Sequence, residues 1–261
     1  MRSETVTRVS THPDVDTGLP LTGERTVPGI AEENYWFRRH EVVYAAIAAD
    51  CSGAVVLEAG CGEGYGADLL AGTARQVLAL DYDVLTAEHV HRRYPRVGIA
   101  RANLVALPVA TGSVDVLVSL QVIEHLWEQE RFLRECARVL RPGGRLLVST
   151  PNRITFSPGR DTPLNPFHTR ELDPDELAGL VTGAGFDDVS VRGLSHGRHI
   201  RALDRKYRGS FVDAQLAVAV SGKPWPAELR EDVTGIRASD FVLHDDDLRD
   251  SLDLLVAARR P

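Results

Sequence analysis

The sequence predicts an α/β fold, a mostly parallel sheet with helices on both faces, and three observations carry the prediction. The first is a short apolar strand, Val55-Val56-Leu57-Glu58-Ala59, that runs directly into the glycine-rich turn Gly60-Cys61-Gly62-Glu63-Gly64. The second is Asp81, which closes the next apolar strand, Gln76-Val77-Leu78-Ala79-Leu80, about twenty residues further on. That is the interval at which an α/β nucleotide-binding unit sets its ribose-binding carboxylate. The third is the continuation of the pattern, with strands and helical stretches alternating as far as Val191. Together they predict a pocket for a nucleoside cofactor.

Taken in order, residues 1–23 are polar, rich in Pro and Thr and without a period, which predicts a disordered lead. Residues 24–261 read as one domain. Its first part, 24–50, opens on Glu24-Arg25-Thr26-Val27-Pro28-Gly29, and the apolar spacing from Asn34 to Ile47 predicts an amphipathic helix. This helix is either a lid that closes over the cofactor with its aromatic residues or a cover for one face of the sheet. Residues 54–193 form the cofactor-binding core. After Asp81-Tyr82 come Ala102-Asn103-Leu104-Val105-Ala106-Leu107-Pro108, the strand Val114 to Leu120 followed by Gln121-Val122-Ile123-Glu124-His125, and the turn Arg141-Pro142-Gly143-Gly144 that leads into a fifth strand. Ala184-Gly185-Phe186 reads as a helix end with a glycine cap before a strand reaching Val191. The last strand is Leu252 to Ala258. Residues 194–247 before it are too many for a plain loop, so a helix from Phe211 to Val220 and a loop around Lys223-Pro224-Trp225-Pro226 are expected over the acceptor pocket. A dimer surface is the alternative use of this insertion.

Glycine belongs where φ must be positive and where a ligand approaches bare backbone. The dinucleotide fingerprint G-x-G-x-x-G would put its third glycine three places after the second, whereas Gly60, Gly62 and Gly64 alternate. The turn alone is also compatible with a tight strand-to-helix connection that binds nothing. Written as E-x-G-x-G-x-G with Glu58 at its head, the phrase resembles motif I of the class I S-adenosylmethionine-dependent methyltransferases, and the later strands follow the order of that family's motifs over roughly residues 54–191. The resemblance implies a Rossmann-like seven-stranded sheet whose last two strands form an antiparallel pair, and S-adenosylmethionine as cofactor. It implies that Asp81 holds the ribose hydroxyls and that Tyr82 packs on adenine. Asn103 stands where the family often has Asp, and its amide can still accept a hydrogen bond from the adenine amine. Glu58, Gly60, Gly62, Gly64, Leu104 and Gln121 complete the implied cofactor-binding set.

Composition narrows the partners. A net charge of −7 with only two lysines, Lys206 and Lys223, argues against a nucleic-acid partner, which needs clustered cations. No 18-residue apolar run and no N-terminal apolar region occur, so a cytoplasmic protein with no membrane partner is expected. Cys51, Cys61 and Cys136 lack metal-ligand spacing and read as reduced thiols.

Methyl transfer to a hydroxyl requires alignment of the oxygen and removal of its proton. His125, at the end of the fourth strand, is the first candidate base, since an imidazole is largely neutral at pH 7. Packing and loop anchoring is the alternative role for the Glu124-His125 pair. The ubiquinone-pathway O-methyltransferases carry a similar Glu-x-x-Glu-His pattern that holds a divalent cation. Glu124 and His125 are therefore candidate Mg²⁺ ligands, although Gln121 would replace one carboxylate by a weaker amide. His168 is a second candidate, either binding or deprotonating the acceptor or fixing its turn. Thr169 after it reads as a helix N-cap with Glu171 and Leu172 entering the helix. His196, His199 and His244 read as surface histidines, and Asp245-Asp246-Asp247 as a solvated acidic run.

The segment Thr22 to Gly29, the aromatic stretch Asn34 to His40 and the loop Asn165 to Leu172 resemble an actinobacterial group of sugar O-methyltransferases that cap the 1-hydroxyl of methylmannose polysaccharide precursors. That likeness implies a short, partly methylated mannoside as acceptor. Two other readings stand beside it: methyl transfer to a quinone or other aromatic, which requires an apolar acceptor pocket, and a non-catalytic S-adenosylmethionine-binding protein. DNA methylation is disfavoured because Thr150-Pro151-Asn152 is not an Asn-Pro-Pro-aromatic amine clamp.

Overall fold

Apolar strands that are covered on both faces read as near-continuous Val/Leu runs, and such runs build the centre of this protein. In the computed structural model, which describes Leu19 and residues 25–261, β1 (Val55–Ala59), β2 (Gln76–Asp81), β3 (Val97–Arg101), β4 (Val114–Leu120) and β5 (Leu140–Pro151) pair in parallel. Then β8 (Asp253–Arg259) pairs antiparallel with both β5 and β6 (Asp187–His196), and β7 (Phe241–His244) pairs antiparallel with β6. The order is β3-β2-β1-β4-β5-β8-β6-β7, a Rossmann-like sheet of eight strands where seven were expected. The extra strand, β7, lies in the insertion, and its four residues are too few to register as a period. The expected disordered lead lies, Leu19 apart, outside the described residues.

Successive side chains of a strand point to opposite faces. Accordingly Val56, Val116 and Leu147 pack on one side with α1 (Asn34–Cys51), α2 (Tyr65–Ala71) and α3 (Val84–Arg93), while Leu57, Leu117 and Leu146 pack on the other with α4 (Gln129–Val139) and α6 (Pro174–Gly183). The short α5 (Arg153–Phe156) follows β5. Thr169 is not a helix N-cap. Asp173 caps α6 instead, its carboxylate accepting from Glu176 N at 2.9 Å while Glu176 Oε2 accepts from Asp173 N, with Pro174 at the first helical position. The hydroxyl of Thr169 donates to the carbonyls of Glu124 (3.1 Å) and Leu126 (2.8 Å), tying its loop to the end of β4.

The insertion holds three helices, α7 (Arg198–Lys206), α8 (Phe211–Ser221) and α9 (Ala227–Gly235), where one was expected. It packs against α1: Asn34 Nδ2 donates to the carbonyls of Val233 and Ile236, each at 2.9 Å, and Arg230 pairs with Glu32 at 2.7 Å. His196 is not a surface histidine, because its ring bridges the Tyr35 hydroxyl (2.7 Å) and Asp204 (3.1 Å) beneath α1. A bidentate ion pair between Arg39 of α1 and Asp253 of β8, at 2.6 and 2.5 Å, is almost wholly buried. Among the described residues no helix is long and apolar enough to cross a membrane.

Candidate active site

The strand order reverses between β1 and β4, and in open α/β sheets ligands bind at the carboxyl ends of the strands at such a point. Gly60, Gly62 and Gly64 all have positive φ, at +85°, +54° and +97°. Their bareness serves two purposes. A Cβ on Gly60 would lie 2.6 Å from Val122, and one on Gly64 would lie 2.6 Å from Val90, so both are bare for packing. At Gly62 the nearest atom is Arg25 Cβ at 3.9 Å, leaving backbone that a ligand can approach. A fourth glycine, Gly66, lets α1 close in, since a Cβ there would meet the Tyr44 ring at 2.0 Å.

Through that gap the Tyr44 hydroxyl reaches Glu58 Oε1 at 2.6 Å. Glu58 is fully buried, its other oxygen has no partner, and burial pushes its carboxyl up to about 8 against the opposing hydrogen bond from Tyr44. Asp81 accepts from Gly62 N and Asp83 N, both at 3.0 Å, and burial raises its carboxyl above the usual range. Arg25 pairs with Asp83 at 2.9 Å and keeps a buried, unpartnered Nη1 over the turn. Tyr82 is 68% exposed with the Arg101 guanidinium 5.2 Å from its ring centroid, an open flat surface next to Asp81. Asn103 Oδ1 accepts from Val105 N at 3.1 Å, and Leu104 is buried. Gln121 sits at φ +56°, its backbone N–H bonded to the Ser149 carbonyl and its amide donating to Ser149 Oγ at 3.2 Å. It lines a cavity of about 20 Å³ with Tyr44, His40 and Arg39. The open cradle at Gly62 and the Asp81 carboxylate fit a nucleoside, and an ammonium group brought against Glu58 would draw its unpartnered carboxyl into the ionised form.

A second constellation follows β4. Glu124, His125 and His168 bring one ligand atom each to within 4.8 Å of one another. Glu124 is buried, accepts from Thr150 Oγ1 at 3.1 Å, and is pushed up to about 8 mainly by burial. His125 Nδ1 donates to the Phe167 carbonyl at 3.1 Å, and Nε2 faces Glu124 at 4.0 Å. His168 Nδ1 donates to the buried Glu171 Oε1 at 2.7 Å, which fixes the tautomer and leaves Nε2 as an acceptor. The two rings meet edge-on, 4.9 Å between centroids. Gln121 is engaged with β5, and the atom that joins Glu124 and His125 in this cluster comes instead from His168, on a distant loop. Among the described residues no such group forms at Asp245, Asp246 and Asp247.

A glycine cradle beside a ribose-type carboxylate, with polar side chains converging after the fourth strand, defines a nucleoside-binding α/β protein of the methyltransferase class. A family model described as a methyltransferase domain matches residues 57–148. A probable S-adenosylmethionine-dependent methyltransferase of Mycobacterium tuberculosis is 60% identical over 93% of this chain and 90% of its own length. A similarly described protein of Mycolicibacterium smegmatis is 59% identical over 94% of this chain and 96% of its own. A solved methyltransferase from Thermotoga maritima, described as a possible histamine N-methyltransferase, superposes with a TM-score of 0.60 at 17% identity over 87% of this chain and 93% of that one, which shows the fold alone. The chain belongs to the S-adenosylmethionine-dependent methyltransferases.

Sequence reasoning missed Tyr44, Glu171 and the part played by Arg25. Gly66 was the one local signal for the first, since a glycine one residue into a helix asks what packs on it. No local signal pointed to the others.

Proposed function

We propose that this protein methylates a sugar hydroxyl, the acceptor being a short methylated mannoside of polymethylated polysaccharide biosynthesis. The observation that carries the reading is the convergence of His125, His168 and Glu124 after β4. An alcohol holds its proton far above neutral pH, so its methylation needs a base, and two imidazoles with fixed tautomers supply acceptor nitrogens there. S-adenosylmethionine supplies the methyl group. Gly62 would pass its amino-acid tail, Glu58 would meet the ammonium group, Asp81 the ribose, and Tyr82 and Asn103 the adenine.

As the alternative to base catalysis, the same three side chains would hold a divalent cation, which would occupy both imidazole nitrogens and instead activate the acceptor oxygen by polarising it. Two imidazole nitrogens with one carboxylate suit Mn²⁺ better than Mg²⁺, which prefers oxygen ligands and would keep several waters in this site. A quinone or other aromatic acceptor would need an apolar pocket, whereas the cavity bordered by Thr169 and Glu171 is lined, Pro163 apart, by charged and hydroxylated side chains. That contrast favours the sugar.

The test is incubation with labelled S-adenosylmethionine and a panel of mannosides, glucosides and phenols, with Mg²⁺, Mn²⁺ or chelator. Label is expected in mannosides. His125→Ala and His168→Ala are expected to lower the rate by about 10²–10⁴-fold while affinity for S-adenosylhomocysteine is retained. Turnover of phenols alone, or of nothing in the panel, would sink the reading.

A further inference from the structure

Bordered by Glu171, the partner of His168, lies a cavity of about 310 Å³ formed by the loop after α5 and the entry to α6. Its charged lining comprises Arg153, Arg160, Arg170, Asp161, Glu171 and Glu176, three cations against three carboxylates. A site for a phosphate or carboxylate ligand would show an excess of cations. A balanced set of guanidinium donors and carboxylate acceptors matches instead a neutral polyol, whose hydroxyls both donate and accept. Parts of the wall are preorganised, since Arg153 is held by Asp173 at 2.7 Å and by Glu176 at 3.3 Å.

Glu171 joins this cavity to the candidate base His168. The residue is 3% exposed, its Oε1 takes the hydrogen bond from His168, and its Oε2 is buried with no partner. A bare carboxylate oxygen in the interior is costly, and a hydroxyl donor is the group that would relieve it. We propose that the cavity is the subsite for the part of a neutral pyranoside acceptor that is not methylated, and that Glu171 is a positioning residue, accepting from an acceptor hydroxyl through one oxygen while the other orients His168. The identity of the ligand as the acceptor rests on the sugar-methylation reading; the preference for a neutral polyol rests on the cavity.

The experiment is calorimetry on the S-adenosylhomocysteine-bound protein, titrated separately with a methyl mannobioside, mannose 6-phosphate and inorganic phosphate, together with steady-state kinetics on the mannobioside. Glu171→Gln retains shape but offers an uncharged amide, and is expected to weaken mannobioside binding and raise KM by about tenfold or more, with S-adenosylhomocysteine affinity and Tm unchanged. Arg160→Ala, at an exposed position that cannot unfold the core, is expected to weaken the same binding several-fold. Mannobioside affinity unchanged in both variants would overturn the subsite while leaving sugar methylation standing. Phosphate binding that excludes the mannobioside would also overturn it. Mannobioside binding that depends on Glu171 without any methyl transfer would uphold the subsite and sink the transfer reading instead.

Discussion

Gly62→Ala and Gly64→Ala, two residues apart in one turn, are expected to fail in opposite ways. Both positions have positive φ, so an alanine at either costs about 1–2 kcal/mol of backbone strain. At Gly62 nothing else follows, because the new methyl group lies no closer than 3.9 Å to Arg25. At Gly64 the methyl group would stand 2.6 Å from Val90 and 3.0 Å from Tyr94, and such overpacking adds about 1–3 kcal/mol. Urea unfolding of the ligand-free proteins should therefore show a loss of about 1–2 kcal/mol for Gly62→Ala and roughly twice that for Gly64→Ala. Calorimetry with S-adenosylhomocysteine should show the reverse weighting: Gly62→Ala fills the open side of the turn and loses affinity by about tenfold or more, equivalent to about 1.4 kcal/mol. If Gly62→Ala binds as tightly as the parent, the cofactor does not run over this turn and the pocket has been assigned to the wrong surface.

Burial raises Glu58 from 4.5 to about 8, so the folded protein keeps a proton that the unfolded chain gives up over that interval. The stability this group contributes is full below about pH 4.5 and falls as pH rises toward 8, by an amount on the order of a few kcal/mol. Glu58→Gln should remove that decline, though not the parallel one from Glu124, so that the variant gains on the parent between pH 6 and 8.5 in urea unfolding; an identical slope would refute the assignment. Arg39→Met strands the Asp253 carboxylate in the interior and should cost about 3–5 kcal/mol, most of it recovered by adding Asp253→Leu. A single variant as stable as the parent would show that the pair is solvated in solution.

The alternation of Gly60, Gly62 and Gly64, the acid at the end of β2 and the succession of strands to β5 are local properties of the chain, set by turn chemistry and by a period of two, and these were legible without coordinates. The candidate site was legible in part. Glu124 and His125 sit together in sequence, but His168 reaches them only because Thr169 bonds the carbonyls of Glu124 and Leu126 across more than forty residues. Seven strands were expected because β7 is too short to show a period, and Thr169 resembled an N-cap because the competing acceptors for its hydroxyl lie on another element.

What the sequence by itself determined, then, is the class of fold and the glycine turn with the acid that follows β2, since both follow from contacts between near neighbours. Tertiary structure alone decided which glycine faces open space and which is bare for packing, that Tyr44 closes on Glu58, and that Glu171 bonds His168. Those outcomes depend on how side chains from separate elements share a small volume once the sheet has closed its two faces, and no local pattern encodes that distance.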